Sequence, residues 1–487
     1  MFDSVVEAVF HYADANPERL CLADDRGHVS YGEFRDMILR YAAYLREAGI
    51  ERADNVVVEA AQSVEYLAME LAVQLIGAVF VPVERNCAPD KIQRVIDLCK
   101  AKAAITANQY AYAVPVFRTH ERFFSLRGGD HSAHDGRFPE RTAVSEILFS
   151  TGTTGKEKGI VLTHGSDIAL AENVIDGVKM QPDNVEMILS PMNHSHGLRR
   201  WYANMVNGSS VVLLGSAMDM MRFFRNLDAY RVNSVDMVPA ALSVVLRLSR
   251  GKLAEYRNQI RYIQFGAAPL KEADQAEICR QLPDSRLYNF YGSTESGCIA
   301  IYNFNRPDRK KHCIGKPTQN ARIFIVDDTR REIASSRENP GFLAGEGGMN
   351  MLGYWNDPAE TARVLENGVL YSNDIAYVDS DGDLILLGRK GDVINVGGHK
   401  VSPDEIEEIA VRMPEIADCG VIPVDDPMKG SVPKLYVQMK AGCAFDPVRI
   451  RAYLAERMEP YKIPACIEQI EKIPRSFNGK LLRRELS

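Results

Sequence analysis

Hydrophobic positions in the first third of the chain alternate between helical spacing and short β-rich runs. Helix-like patterns at Glu33–Ala48 and Ser63–Ile76 alternate with strand-like runs at Asn55–Glu59 and Val79–Val83. Helices that alternate with short strands are typical of βαβ units, which build parallel sheets. The opening of the chain therefore predicts a layered α/β subdomain.

The same alternation returns in the middle of the chain. Strand-like runs at Gly208–Gly215, Val235–Val238 and Ile260–Gly266 are separated by helical stretches. From Ala321 the pattern changes to strands and turns, as in Ile323–Asp327 and around the turn signal Asp381-Gly-Asp. We therefore expect a second layered subdomain before residue 300 and a β-rich subdomain after it.

A helical pattern at Ser402–Arg412 follows the glycines after Arg389, and Ser402 can cap this helix while Pro403 takes its first position. We place a domain boundary here, with residues 1–389 as the N-terminal domain and 390–487 as the C-terminal domain. The predicted fold class is α/β. We expect a large N-terminal domain with two layered αβα subdomains and a β-rich subdomain, and a small α+β C-terminal domain that looks like a lid.

Composition narrows the classes of function. The chain has 487 residues, more than one hydrophobic core normally serves, and its net charge of −7 offers no basic surface for a nucleic acid. No run approaches the roughly 18 apolar residues that span a bilayer, and no signal peptide is recognisable. The nine cysteines show no C-x-x-C spacing. We expect a cytoplasmic enzyme with reduced, mostly buried cysteines.

A loop rich in glycine, hydroxyl and lysine follows the hydrophobic run that ends at Phe149. Convergent backbone N–H groups, hydroxyl donors and lysine charge suit a phosphate, and the alternative is a flexible surface loop. A Walker A loop needs glycine at position 150 and a hydroxyl at position 157, where this chain has serine and glutamate. The candidate phosphate-binding residues are Ser150, Thr151, Gly152, Thr153, Thr154, Gly155, Lys156 and Lys158.

Further motifs follow this loop in a fixed order. They are Tyr291-Gly-Ser-Thr-Glu295, Gly347-Gly-Met-Asn-Met-Leu-Gly-Tyr354, Ser372-Asn-Asp374, Gly388-Arg389, Gly397-Gly398-His-Lys400 and Pro474-Arg-Ser-Phe-Asn-Gly-Lys480. The ordered series resembles the adenylate-forming superfamily of acyl-CoA synthetases, peptide-synthetase adenylation domains and luciferases. The resemblance implies that ATP activates a carboxylic acid as acyl-AMP, and that a thiol then displaces AMP. It also implies that the small C-terminal domain is a mobile lid.

The resemblance also implies roles for individual residues. Lys480 would bridge carboxylate and phosphate, Thr294 would contact the α-phosphate, and Glu295 would bind Mg²⁺. Asp374 would accept hydrogen bonds from the ribose, although this chain has Ser372-Asn373 where the family usually has Thr-Gly. Arg389 would reach the ribose or phosphate. The other implied nucleotide or coenzyme A residues are Tyr291, Gly292, Ser293, Gly266, Ala267, Ala268, Gly397 and Gly398.

The acyl pocket is predicted from the segment that contains His194, His196, Arg199 and Arg200. The family resemblance places a histidine here at the pocket, and Ser195 stands where enzymes for α-amino acids carry an aspartate. The segment also looks like that of malonyl-CoA ligases, so an arginine here could pair with a second carboxylate. The alternative is that both arginines face solvent or an interior salt bridge.

Three functions are compatible with the fold that these motifs imply. The first is an ATP-dependent acid:CoA ligase with ATP, Mg²⁺ and coenzyme A as cofactors. The second forms the same acyl-AMP but loads a carrier-protein phosphopantetheine. The third, an inactive interaction protein, fits poorly with the presence of Glu295, Asp374, Arg389 and Lys480.

Overall fold

The computed structural model describes residues 2–118, 135–151, 157–266, 270–396, 399–475 and 481–486. Within these ranges the helices are α1 Val5–Ala15, α2 Tyr31–Glu47, α3 Val64–Leu75, α4 Pro89–Cys99, α5 His164–Val178, α6 Ser195–Val206, α7 Met220–Ala229, α8 Pro239–Ser249, α9 Glu272–Gln281, α10 Pro358–Val364, α11 Pro403–Ala410 and α12 Pro447–Ala455.

The strands of the first half are β1 Leu20–Ala23, β2 His28–Ser30, β3 Asn55–Glu59, β4 Val79–Val83, β5 Ala103–Thr106, β6 Val116–Arg118, β7 Val144–Thr151, β8 Glu157–Thr163, β9 Val185–Ile188, β10 Ser210–Leu213, β11 Ser234–Met237, β12 Tyr262–Phe265 and β13 Arg286–Ser293.

The strands of the second half are β14 Gly297–Asn303, β15 Cys313–Pro317, β16 Ala321–Val326, β17 Gly341–Gly347, β18 Gly353–Tyr354, β19 Leu365–Glu366, β20 Val369–Val378, β21 Leu384–Arg389, β22 Ile394–Val396, β23 His399–Val401, β24 Ile416–Asp426, β25 Gly430–Met439 and β26 Cys466–Gln469.

Two large sheets carry the first 390 residues. One has seven strands in the order β18-β8-β7-β4-β3-β5-β6, and the parallel neighbours β3 and β4 coincide with the predicted runs Asn55–Glu59 and Val79–Val83. The other has the order β16-β17-β20-β21-β15-β14-β13-β12-β11-β9-β10-β1-β2. The predicted β-rich region extends this second sheet, because β15 pairs with β14 on one side and β21 on the other.

Helix α3 lies in the middle of the core that these sheets share. All of its residues are buried, including the polar side chains Glu65, Glu70 and Gln74. Its apolar side chains pack in the main hydrophobic cluster, and burial of one such as Leu67 stabilises the fold by about 1.5–3 kcal/mol. Of these polar side chains, Glu70 accepts a hydrogen bond from Tyr202 and Glu65 accepts one from Arg26.

The C-terminal part forms a five-stranded sheet of β22–β26 around its own hydrophobic cluster. The helix predicted at Ser402–Arg412 is α11, and Pro403 occupies its first turn as expected. Ser402 is the N-cap residue, but its side chain makes no capping hydrogen bond, contrary to the prediction. The hydroxyl is instead buried. The exact boundary between residues 389 and 390 stays a prediction.

The nine cysteines are all free, and six of them are buried, as expected. Within the described ranges, no helix combines the length and the apolar character that a membrane crossing requires.

Candidate active site

A tight turn between β13 and β14 presents Thr294 and Glu295. The backbone N–H of Ser293 donates to Oγ of Ser296 at 3.0 Å, and the N–H of Ser296 donates to Oγ of Ser293 at 3.1 Å. These reciprocal bonds close the turn from inside. Ser293 therefore has a clear structural role beside its predicted place at the nucleotide.

Glycine is required at position 292 by the close approach of the two strands. A Cβ atom on Gly292 would lie 1.9 Å from the carbonyl oxygen of Gly297, which is far inside van der Waals contact. Only glycine allows the chain to reverse this tightly next to Thr294.

Asp374 brings three of the predicted site residues together. Its Oδ1 accepts a hydrogen bond from Nε of Arg389 at 2.9 Å, and its Oδ2 accepts one from the phenol of Tyr291. Asp374 and Arg389 are cross-strand partners on β20 and β21, so the sheet register fixes their contact. Residues far apart in sequence thus form one hydrogen-bonded unit.

The protonation states of this unit follow from burial and charge. Burial, with a smaller effect of the Asp374 charge, raises the pKa of Tyr291 well above its usual value, so the phenol keeps its proton. The charge of Asp374 raises the pKa of Arg389. Asp374 is consequently an acceptor held between two fixed donors.

Glu295 is held by the segment that ends at Tyr354. The phenol of Tyr354 donates to Oε1 of Glu295 at 3.0 Å, and the N–H of Met351 donates to the Glu295 carbonyl at 2.7 Å. One carboxylate beside hydroxyl groups fits Mg²⁺, which takes many of its ligands from phosphate and water. In the described part of the chain, no group of three or more His, Cys, Asp or Glu side chains could hold a metal ion.

Lys158 lies next to the same tyrosine. Its ammonium group is 5.1 Å from the centre of the Tyr354 ring and contacts the carboxylate of Glu360. This contact lowers the pKa of Glu360, so the pair is an ion pair at neutral pH. On the hairpin, Ser150 is the cross-strand partner of Lys158 and Thr151 that of Glu157. The residues between them, Gly152, Thr153, Thr154, Gly155 and Lys156, lie outside the described ranges.

A cavity of about 230 Å³ opens beside the Ser293–Glu295 turn. It is bounded by the first turns of α6, by the end of β13 and by Val238, Phe290 and Cys298. All four residues named in the predicted pocket segment line it, namely His194, His196, Arg199 and Arg200. The predicted nucleotide residues Tyr291, Gly292, Ser293 and Thr294 line it as well.

His196 is oriented by contacts on two sides of its ring. Nε2 lies 2.8 Å from Oδ1 of the fully buried Asp236, and the ring meets Phe290 edge to face. A Cβ at Gly266 would lie 2.5 Å from the ring, so glycine there leaves space for the imidazole. His194 is more exposed than His196. Ala267 and Ala268, which follow Gly266 in the sequence, lie outside the described ranges.

The two arginines of α6 have different environments. Arg200 is buried and forms a two-pronged ion pair with Glu186, with contacts of 3.0 and 2.8 Å. The alternative of an interior salt bridge therefore holds for Arg200. Arg199 lines the cavity, and its guanidinium donates to the carbonyl of Ser293.

A buried acidic network lies on the inner side of α6. The Tyr202 hydroxyl is 2.7 Å from Oε1 of Glu70 and 2.7 Å from Oε2 of Glu146. A hydroxyl has one proton to donate, so one of the carboxyls supplies a proton of its own. Burial raises the pKa of Glu146 to about 7 and that of Glu70 well above its usual value. The network therefore stores at least one proton in the folded protein.

Some predicted site residues lie outside the described ranges, and some contacts within the site were not predicted from the sequence. Lys480, Gly397 and Gly398 lie outside the described ranges. Sequence reasoning placed Ser195 in the acyl-pocket segment but did not predict that its hydroxyl shares a 3.0 Å hydrogen bond with the Thr294 hydroxyl, and it missed Asp236. It also missed Ser296, although the Ser-x-x-Ser spacing at 293–296 is a recognisable sign of a side-chain-closed turn.

Comparison with models of known protein families shows the family of this chain. The AMP-binding enzyme model matches residues 9–355, and the model of the AMP-binding enzyme C-terminal domain matches residues 405–480. The chain belongs to the AMP-binding enzyme family. The resemblance to adenylate-forming enzymes that the motifs indicated is therefore confirmed.

This AMP-binding enzyme is similar to several curated proteins. It is 29% identical to 4-coumarate–CoA ligase 2 of Oryza sativa subsp. japonica, over 99% of this chain and 91% of the relative. It is 26% identical to 4-coumarate–CoA ligase 1 of Solanum tuberosum, over 96% of this chain and 90% of the relative.

Solved structures share the fold of this AMP-binding enzyme. ATP-bound MatB from Rhodopseudomonas palustris has a TM-score of 0.89 at 22% identity and covers 100% of this chain and 98% of its own. The o-succinylbenzoate CoA synthetase MenE from Bacillus subtilis, in complex with its acyl-adenylate, has a TM-score of 0.85 at 22% identity, covering 99% of this chain and 97% of its own. The predicted α/β architecture with a large N-terminal and a small C-terminal domain is confirmed.

Proposed function

We propose that this chain is an ATP-dependent, AMP-forming acid:CoA ligase. A carboxylate oxygen of the acid attacks the α-phosphorus of ATP, the bond to the β-phosphate breaks, and pyrophosphate leaves. The thiol of coenzyme A then attacks the acyl carbon, and AMP leaves as the thioester forms. Family membership and the CoA-ligase relatives support this activity.

One structural observation supports the nucleotide site most directly, the Asp374 carboxylate held between Tyr291 and Arg389. A fixed, ionised acceptor at this place suits the two hydroxyls of a ribose. Thr294 at the tip of the adjacent turn is then available to the α-phosphate. The first step brings several negative charges together, so fixed donors and cations supply most of the catalysis.

Glu295, steadied by Tyr354, would hold Mg²⁺ with the phosphates of ATP. When bound, the ion neutralises phosphate charge and orients the pyrophosphate leaving group. Lys480 would bring an ammonium group to the reacting carboxylate and α-phosphate. Phosphate contacts are assigned to Lys158 and to the residues at 150–156, and contacts with coenzyme A to Gly397 and Gly398.

The acid would lie in the 230 Å³ cavity, with its carboxylate near Thr294 and its other end towards His196 and Val238. A carrier-protein phosphopantetheine has the same thiol arm as coenzyme A, so it is the alternative acceptor. A cytoplasmic location stays a prediction from the sequence.

The decisive experiment supplies purified protein with ATP, Mg²⁺, a panel of carboxylic acids and free coenzyme A as the only thiol. Acid-dependent release of AMP together with an acyl-CoA product is expected. Formation of acyl-AMP without thioester, followed by acylation of an added phosphopantetheinyl carrier protein, would favour the alternative acceptor. Absence of AMP with every acid would contradict both.

A further inference from the structure

Helix α6 touches the Ser293–Glu295 turn at two points. Ser195 and Arg199 are four residues apart, so their side chains lie on the same face of the helix. The Ser195 hydroxyl bonds to the Thr294 hydroxyl at 3.0 Å, and the Arg199 guanidinium donates to the Ser293 carbonyl. Two consecutive residues of the turn are thus held by one helical face.

The second contact is a strong one. A charged donor forms a stronger hydrogen bond than a neutral one, and the planar guanidinium holds its direction better than an ammonium group. Arg199 is partly buried, where water competes less for the Ser293 carbonyl. Burial lowers its pKa, and the nearby Cys298, Glu146, Glu295 and Asp167 act in the opposite direction.

Arg199 and the adjacent Arg200 bind different partners. Arg200 points to Glu186 in the core, and this ion pair anchors α6 to β9. With the helix anchored there, a side chain that reaches the turn from α6 can set the position of Thr294 and Glu295. The same part of α6 forms the wall of the acyl cavity through His196.

We propose that Arg199 is a positioning residue, which acts with Ser195 to hold the Ser293–Glu295 turn in place for ATP and its metal ion. The proposal rests on the proposed function, because it assigns the turn to the nucleotide. It differs from the hypothesis that Arg199 receives a second carboxylate of the acid. If Arg199 positions the turn, replacing it lowers the activation of every acid by the same factor.

The test compares Arg199→Met, Arg199→Lys and Ser195→Ala with the wild-type chain. Pyrophosphate exchange is measured with accepted monocarboxylic and dicarboxylic acids. Loss of a charged hydrogen bond predicts a roughly ten- to hundredfold fall in kcat/KM for ATP in Arg199→Met, with all acids affected equally. Arg199→Lys should recover part of the loss. Ser195→Ala, which removes a neutral bond, should lose about two- to tenfold.

A binding measurement separates this proposal from the proposed function. Calorimetric titration with ATP, with and without Mg²⁺, should show that Arg199→Met loses most of the affinity that Mg²⁺ adds, whether or not any acid is activated. Arg261→Met is the control, because Arg261 forms an exposed ion pair with Asp183 away from the site. It should match the wild type in both assays, and thermal unfolding confirms that each variant is folded.

Three results would overturn the proposal. One is a loss confined to the KM of acids that carry a second carboxylate, which would make Arg199 a substrate receptor. Another is an unchanged Mg²⁺-dependent affinity for ATP in Arg199→Met. The third is a wild-type chain that binds no ATP. A wild type that binds ATP with Mg²⁺ but activates no acid contradicts only the proposed function.

Discussion

Replacing Asp374 by asparagine tests how the nucleotide site is held. The carboxylate accepts from Arg389 at 2.9 Å and from Tyr291, and only 14% of its side chain is exposed. Asparagine has the same shape but no charge, and one of its two polar atoms becomes an NH₂ donor. If that NH₂ faces Arg389, donor meets donor. The variant therefore loses an acceptor position that the site requires.

The expected fall in kcat/KM for ATP follows from two bonds of Asp374, the one with Arg389 and the one with the substrate ribose. Hydrogen bonds to charged groups contribute about 1.5–3 kcal/mol. The Arg389 side chain is 44% exposed, so solvent screening reduces its share to about 1 kcal/mol or less. The bond between Asp374 and the substrate ribose, which forms in a closed site, accounts for the rest of the loss in free energy. Since about 1.4 kcal/mol is a factor of ten, we expect kcat/KM for ATP to fall about ten- to hundredfold.

The assay is pyrophosphate exchange at varied ATP, with AMP affinity measured separately by calorimetry. Asp379→Asn is the matched control, because Asp379 directly follows the same strand and its side chain is similarly buried, at 18% exposed, but it pairs with Lys310 at 2.6 Å. Lys310 keeps Asp381 and Asp383 as partners, so this variant should behave as the wild type. An Asp374→Asn enzyme with unchanged affinity for AMP and unchanged KM for ATP would refute the ribose assignment.

Three further predictions concern catalysis and stability. Lys480→Ala should abolish acyl-AMP formation but largely spare thioester formation from supplied acyl-AMP, and an equal loss in both half-reactions would contradict its role. Glu186→Gln leaves the buried Arg200 charge unpaired, so it should destabilise the fold by about 3–5 kcal/mol and lower the thermal midpoint. Burial raises the pKa of Glu146 from 4.5 to about 7, so the folded chain keeps a proton that the unfolded chain releases, and the contribution of this group to stability falls as pH rises through this window. Glu146→Gln cannot lose a proton and should flatten this slope in thermal unfolding between pH 5 and 8. The same slope as wild type would contradict the assignment.

Much of the fold could be predicted from local patterns. The alternating runs located β3 and β4 correctly, and Pro403 marked the start of α11. Local signals have limits, however, because they do not show which strands pair. Strand β1 pairs with β2 and also with the distant β10, so the first two strands of the chain belong to the second sheet and not to the sheet of β3–β6 that follows them in sequence.

The candidate-site residues that lie within recognisable motifs could be predicted from the sequence. Asp374 and Arg389 belong to separate motifs, and the sheet register brings them together. The supporting contacts were not predictable. Asp236 reaches His196 across 40 residues, and Arg199 reaches Ser293 across 94. Such contacts depend on helix packing and side-chain direction, which no short window of sequence contains.

The central claim is that ATP is cleaved between its α- and β-phosphates to activate an organic acid. Its most direct test is the incorporation of labelled pyrophosphate into ATP by the purified protein, with each of a wide panel of acids and without any thiol. The account predicts rapid incorporation that depends on Mg²⁺ and on at least one acid, and that is lost in Lys480→Ala. No incorporation with any acid, or the release of ADP in place of AMP, would contradict it.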